Sequence, residues 1–339
     1  MRLKTVVVAM VVLVVLMGTA WAGGGREAAA PGVTEPITLR LAHVYAPDTV
    51  WDRGSHVAAD LVRERSDGLI NIEVFPASQL GSEEAITEAV IFGSIDMVLS
   101  GAGQIGNLFK PILIAEMPYT FRDLDHVSLF ARSEIGQEMF ADLENEFNIK
   151  VIGPTSFGVR HVLSVDKPVR TPADLSGFTL RVPEQQVTIA YGRAMGANPT
   201  PIAYAEAYMA LQQGVADGLE NPLSAFEGMR FYEVASYVNL TSHVTNLLFF
   251  LMNGPVFEQL NADQQEIILA AFDEGSQYII DGLKAEDARL LDFFRAEGLE
   301  IVQPDIQAFQ RATAQMPVDF SHWWIRYGDD LHSRIQGLR

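Results

Sequence analysis

From residue 37 onward the chain alternates short apolar runs with amphipathic stretches. Ile37-Thr38-Leu39-Arg40-Leu41-Ala42-His43 has the period of two that marks a strand. Val57, Leu61 and Val62 then recur at helical spacing within 50–65, and Ser66-Asp67-Gly68 stops that helix. Residues 70–75 (INIEVF) predict a second strand. Ser82 is placed to cap a helix whose Ala85, Ala89 and Phe92 share a face and which Gly93 ends. A third strand follows over 95–99. Strand, helix, strand, helix, strand is the grammar of a parallel sheet covered by helices.

The same alternation continues. Residues 121–147 read as largely helical and acidic, 151–154 as a strand ending at a crossover, and 162–165 as another strand. Thr171 and Pro172 suit the cap and first position of a short turn. The run 178–182 predicts a strand, 187–195 a helix ended by Gly196, and 204–213 a helix ended by Gly214. Residues 216–220 then lead into a strand. Strand-type runs at 237–240 and 247–252 precede helices at 261–283 and 285–297, with Asn261 capping the first. Helical stretches at 306–316 and 319–338 complete the chain. A helix, a glycine and a strand recur at 86–97 and at 208–219, which fits two lobes of related build.

Composition narrows the function classes. A chain of 339 residues has room for about two domains, and 48% hydrophobic with 20% charged residues is globular. The net charge of −19 argues against nucleic acid, which needs a basic face, and requires an anionic ligand to find a local positive site. Without cysteine there is no disulfide framework, thiolate metal site or lipidated cysteine. None of the histidines (His43, His56, His126, His161, His243, His322 and His332) lies three to five residues from another, so no local metal pair is expected. Neither Gly-x-Ser-x-Gly, His-Glu-x-x-His nor a P-loop is present, so the reading is of a protein without metal, cofactor or catalytic motif. Gly101, Gly103 and Gly106 match the dinucleotide fingerprint in form only. Pro111 arrives before a crossing helix can form, and Glu116 comes too early for a ribose contact. These glycines instead suit a tight loop near a ligand or hinge.

The first residues read as an export signal. Arg2 and Lys4 precede an apolar run at 6–17 and the small-x-small site Ala20-Trp21-Ala22. That run is shorter than the ~20 residues a membrane span needs. The expectation is a signal peptide at 1–22 cleaved near Ala22, a flexible leader at 23–35, and a mature protein in the periplasm.

The densest chemistry lies between Phe157 and Asn221. Arg160 sits in FGVRHVL, Arg181 in SGFTLRVPE, and Tyr204, Tyr208 and Asn221 follow, the last just before Pro222. A guanidinium offers a planar fork of donors that fits a carboxylate in bidentate fashion, so Arg181 is read as the grip on a small acid. By strict alternation Arg181 faces away from Leu180 and Val182, as a surface arginine does. Tyr204 and Tyr208 are four apart, on one helical face.

The export signal, the Leu41-Ala42-His43 strand, QLGSEEAITEAVIFGSIDM, GFTLRVPE and above all AEAYMALQQGVADGLENP resemble the solute-binding proteins of TRAP transporters, the DctP family, over about 37–335. The resemblance implies an α/β, two-lobed periplasmic-binding-protein-like fold with a hinge, a long helix crossing both lobes and a ligand in the interlobe cleft. The lobes are expected at 36–158 plus about 247–286, and at 159–246 plus about 287–339. It further implies Arg181 as the principal carboxylate-binding arginine, Arg160 as the second, Asn221 as an amide contact to the same end, and Tyr204 as an aromatic beside the ligand. His43 matches a polar strand-end position facing the cleft, and Glu83 or Glu84 a helix-start position accepting ligand hydroxyls. Some acid-sugar receptors carry an acid just after the third strand. Ser100-Gly101-Ala102 offers none here, which points away from sialic acid. The implied function is a monomeric receptor that captures an organic acid, with a uronate or other sugar acid favoured over a dicarboxylate or keto acid, and delivers it to TRAP permease subunits. The alternatives are an extracytoplasmic enzyme acting on an acidic sugar through Glu83 and His43, and a ligand-sensing module.

Overall fold

The first three strands of the pattern, β1 (Ile37–Ala42), β2 (Ile70–Phe75) and β3 (Met97–Gly101), form side by side in a computed structural model that describes residues 32–339. The expected signal peptide and most of the leader lie outside the described residues. β1 lies between β2 and β3 and runs parallel to both. The crossovers are α1 (Val50–Arg65) and α2 (Glu83–Ile91). Ser82 caps α2 as expected, its hydroxyl accepting from the Ala85 N–H. The acidic helical stretch is two helices, α3 (Leu124–Arg132) and α4 (Glu134–Phe147). Ser133 separates them and caps the second through the Gly136 N–H.

Three elements are more continuous than the local pattern implies, two strands and a long helix. The short strands expected at 151–154 and 162–165 are one strand, β4 (Ile149–Ser164). The sheet continues through β5 (Thr179–Val182), α5 (Gln186–Ala194), β6 (Asn198–Pro201) and β7 (Gly218–Asn221). The runs at 237–240 and 247–252 likewise merge into β8 (Tyr237–Asn253). β4 and β8 pair antiparallel from Ile149↔Asn253 to Ser164↔Tyr237. Gly153, Pro154 and Gly158 do not end β4, because register shifts at Val151/Gly153, Ser156/Gly158 and Arg160/Val162 absorb the irregular residues as bulges. The sheet order is β2-β1-β3-β8-β4-β7-β5-β6. The long pair β4 and β8 therefore sits in the middle, with one lobe's strands on each side.

The helices expected at 261–283 and 285–297 are one helix, α6 (Ala262–Ala296), of 35 residues and about 50 Å. It starts on a capping box formed by Asn261 and Gln264. Its interior glycines are contact points rather than breaks. A Cβ on Gly275 would lie 2.8 Å from the Gly54 carbonyl of α1, and one on Gly282 2.5 Å from Val50. Farther along, Leu290 and Phe294 enter the second lobe's core with Phe226, Phe231 and Leu219. One helix thus packs on both lobes.

The C-terminal segment also departs from expectation. β9 (Glu300–Val302) pairs with β8, and α7 (Ile306–Thr313) stays with the second lobe, where the Asp305 N–H bonds the Arg170 carbonyl. Beyond it the chain returns to the first lobe through short turns and α8 (Leu331–Gln336). Arg122 donates to the carbonyls of Gln336 and Leu338 at 2.9 and 3.0 Å, and His126 Nε2 donates to that of Ile335 at 2.9 Å. Trp324, Leu331 and Ile335 are buried in the same move. Residues 287–339 therefore do not all belong to the second lobe, and 319–338 is not a continuous helix.

Candidate functional site

A cleft partly open to solvent lies over the middle of the sheet. Its walls come from both halves. Tyr45, Glu83, Glu84, Gly101 and Glu116 line one side, and Arg181, Gln185, Tyr204 and Asn221 the other. Phe157 and Arg160 from β4 and Asn246 from β8 lie between them. Local geometry explains the β4 contribution. Gly158 takes a φ of +107°, which a side chain would strain, and the Ser156/Gly158 bulge re-aims the residues after it.

Arg181 is fully buried. Alternation failed as a guide because β5 is covered on both faces; Leu180 and Val182 are buried as well. Its Nε and Nη2 donate to the Ile202 carbonyl at 2.9 and 2.6 Å, while Nη1 finds no partner among the described residues. The guanidinium carbon lies 5.9 Å from the Tyr204 ring centre. Burial pulls this arginine down to about 10, a fall that nearby Glu220 only partly offsets. It therefore remains a cation at neutral pH, buried without a directly bonded carboxylate.

Arg160 differs. Its Nε and Nη2 bind both carboxylate oxygens of Glu220, Nη2 also meets the Glu220 carbonyl at 2.8 Å and Asn221 Oδ1 at 3.2 Å, and Nη1 meets Asn246 Oδ1 at 3.3 Å. His243 Nε2 stands 3.3 Å from the same Glu220. Burial opposes ionisation of Glu220, but Arg160 and the His243 hydrogen bond outweigh it and hold the acid down to about 2. Arg160 is thus a neutralised arginine and Arg181 an open one. Asn221 Nδ2 has no partner among the described residues and lines the cleft beside them.

On the first-lobe side Glu83 Oε1 accepts from the Gly101 N–H at 2.8 Å and from the Ser100 hydroxyl at 3.3 Å. Burial nevertheless raises its pKa. Glu84 is exposed at the rim. Tyr204 opens a short turn (Tyr204–Glu206) rather than one helix over 204–213. It packs edge-on to Tyr45 and Phe231, at 6.3 and 6.2 Å between ring centres. Tyr208 is not beside it in the cleft but bonds Glu233 at 3.1 Å.

His43 is corrected. It is fully buried and absent from the cleft wall, with Nε2 3.2 Å from Asp52 Oδ1 and its ring stacked on Tyr45 at 5.7 Å. β1 ends at Ala42, and the chain then turns His43 toward α1 while Tyr45 takes the cleft position.

Sequence reading missed Glu220, Glu116, Asn246 and Gln185. Asn246 gave the clearest signal, a polar side chain just before the apolar run 247–252. Glu116 similarly ends the apolar run 112–115. Gln185 marks the cleft mouth, where a Cβ on Gly103 would lie 2.1 Å from its Oε1. There the lobes touch: Asn107 Nδ2 donates to the Glu184 carbonyl at 2.9 Å, Asn107 Oδ1 accepts from the Gln186 N–H at 3.2 Å, and Lys110 donates to Gln186 Oε1 at 2.8 Å. Of the fingerprint-like glycines, Gly101 and Gly103 line this wall; Gly101 and Gly106 flank a four-residue helix (Ala102–Ile105) too short to cross a sheet.

Among the described residues no group of three or more His, Asp or Glu is placed to hold a metal, and no helix is long and apolar enough to cross a membrane.

The chain matches the family model for bacterial extracellular solute-binding protein, family 7, over residues 41–320. It is similar to the sialic acid-binding periplasmic protein SiaP of Vibrio cholerae, 28% identical over 292 residues covering 86% of this chain and 91% of that protein. The 2,3-diketo-L-gulonate-binding periplasmic protein YiaO of Escherichia coli is 30% identical over 300 residues, covering 87% and 91%. A TRAP periplasmic solute-binding protein from Roseobacter denitrificans, solved with bound L-galactonate, matches with a TM-score of 0.82 at 27% identity, over 90% of this chain and 99% of that one. A cleft between two lobes, with a buried open arginine, and a family match over most of the chain lead to one conclusion: the protein belongs to the bacterial extracellular solute-binding protein family 7, the DctP family of TRAP solute-binding proteins.

Proposed function

We propose that this chain is a periplasmic receptor for a sugar acid, a uronate or aldonate, which it captures between its lobes and delivers to a TRAP-type permease. The observation that carries the reading is Arg181: a buried guanidinium whose Nη1 lacks a partner beside the cleft. A ligand carboxylate loses its water on entering, and charge-assisted bonds to Arg181 and an amide bond from Asn221 replace those contacts. Ligand hydroxyls meet Glu83 and Glu84 on the other wall. The relatives with 2,3-diketo-L-gulonate and L-galactonate as ligands support an acid of this type.

A ligand held by both walls favours the state in which they are close. The hinge in this reading lies where β4 and β8 pass between the lobes, near Gly158 and Ser242, both at positive φ. The protein works as a monomer without cofactor, mature from about residue 23, and releases its ligand unchanged. His43 argues against an acid–base enzyme with Glu83, since it is turned away from the cleft and toward Asp52.

Thermal unfolding against galacturonate, glucuronate and galactonate, beside galactose and galactitol, tests the reading. A ligand at a hundred times its Kd adds about 2.7 kcal/mol and moves Tm by a few degrees. Shifts with the acids alone support it; shifts with the neutral compounds alone overturn it.

A further inference from the structure

Glu116 ends the 3-10 segment Lys110–Glu116 and lines the cleft, yet it is buried with 1% of its surface exposed. Its Oε2 accepts from Asn246 Nδ2, and its Oε1 has no partner among the described residues. The same Asn246 accepts from Arg160 through Oδ1. Glu116 is therefore one amide away from the arginine end of the cleft. An acid in that place needs an account, because an ionised carboxylate there would repel the ligand's own carboxylate.

We propose that the Glu116 carboxyl, steadied by Asn246, donates a hydrogen bond to an oxygen on the carbon next to the ligand's carboxylate, and so selects 2-hydroxy or 2-keto acids over their 2-deoxy counterparts. This rests on reading the cleft as a sugar-acid site. The bonding pattern fits a neutral acid: one oxygen accepts from the asparagine, and the other carries the proton toward the ligand. Charge agrees. Burial lifts Glu116 to about 8, with Arg160 opposing the rise and Glu220 and Glu83 adding to it. The groups facing it are Arg160 on β4, Glu220 on β7, Glu83 on α2, and the hydroxyls of Tyr45 and Tyr191. A polar group left unpaired on binding the deoxy analogue makes that analogue the weaker ligand.

The test is titration calorimetry at pH 7 and pH 9 on the wild type, Glu116→Gln and Glu116→Leu. The probes are galactonate and gluconate, each beside its 2-deoxy form. The wild type should prefer the 2-hydroxy acid about tenfold or more at pH 7, and less at pH 9, where Glu116 loses its proton. Glu116→Gln, whose amide still donates, should keep a preference that no longer changes between the two pH values. Glu116→Leu should bind the two acids alike. A wild type without preference, a leucine variant that keeps it, or a glutamine variant with the wild-type pH dependence would each overturn the inference. If Glu116→Leu does not fold, the pH profile of Glu116→Gln decides. Failure of every acid to bind the wild type would instead remove the sugar-acid reading itself, and this inference with it.

Discussion

The Arg181 guanidinium and the Ile202 carbonyl meet through two hydrogen bonds, and this clamp turns the third nitrogen, Nη1, into a buried donor without a partner among the described residues. Backbone fixes the fork before any ligand arrives, so little ordering is left for binding. Arg181→Met should lower affinity for a sugar acid by more than about tenfold in calorimetry. The same change removes a buried charge that has no direct counter-ion. The ligand-free variant should therefore melt at the wild-type temperature or above it. A variant that binds as the wild type does would sink the assignment.

Arg160 should behave in the opposite way. Its charge is matched by Glu220, and removing one partner of a buried pair leaves the other uncompensated. Glu220→Ala should cost about 3–5 kcal/mol in urea unfolding of the ligand-free protein. A loss below about 1 kcal/mol, the range of an exposed pair, would mean the pair is not the structural unit described here.

Two buried groups tie stability to pH with opposite signs. Burial, helped by His243, holds His161 down to about 3 from 6.5, and its Nδ1 accepts from the Ser242 N–H. The unfolded chain therefore takes up this proton first, and stability falls as pH drops from 6.5 toward 3. Glu116 is raised from 4.5 to about 8, so it keeps a proton that the unfolded chain releases, and stability falls as pH rises across that interval. His161→Asn should flatten the acid limb of a stability–pH curve and Glu116→Gln the alkaline limb. Limbs unchanged in the variants would contradict these environments.

Asn107 bridges the lobes at the mouth through both ends of its amide. It does not line the cleft. Asn107→Ala should weaken closure rather than contact with the ligand, so the dissociation rate should rise several-fold with the association rate nearly unchanged. Stopped-flow binding separates the two. A change confined to association would place Asn107 elsewhere in the cycle.

Local signals carried the first lobe well. Period-two runs, the Ser82 cap and the Gly93 stop produced β1, α1, β2, α2 and β3 with small boundary errors. Continuity was harder to read. Glycine and proline in β4 look like ends, and only pairing with β8 shows that they are bulges. The expected break in α6 at 284 falls just after Gly282, which weakens a helix in isolation but, like Gly275, permits close approach to α1. In the site, the resemblance gathered Arg160, Arg181, Tyr204, Asn221, Glu83 and Glu84 around one cleft. His43, which the resemblance implied at the same cleft, does not line it, because a residue just past a strand end takes its direction from the following turn. Which arginine is neutralised depends on Glu220, Asn246 and His243, contacts that only the folded sheet brings together.

The most direct test of the central claim is titration calorimetry of the wild-type protein with uronates and aldonates, each beside its neutral aldose or alditol. The account predicts saturable binding of one or more acids at 1:1 and none of the matched neutral compounds. Equal binding of an acid and its neutral partner, or binding of neutral sugars alone, would contradict it, because the open guanidinium of Arg181 would then not be what the cleft uses.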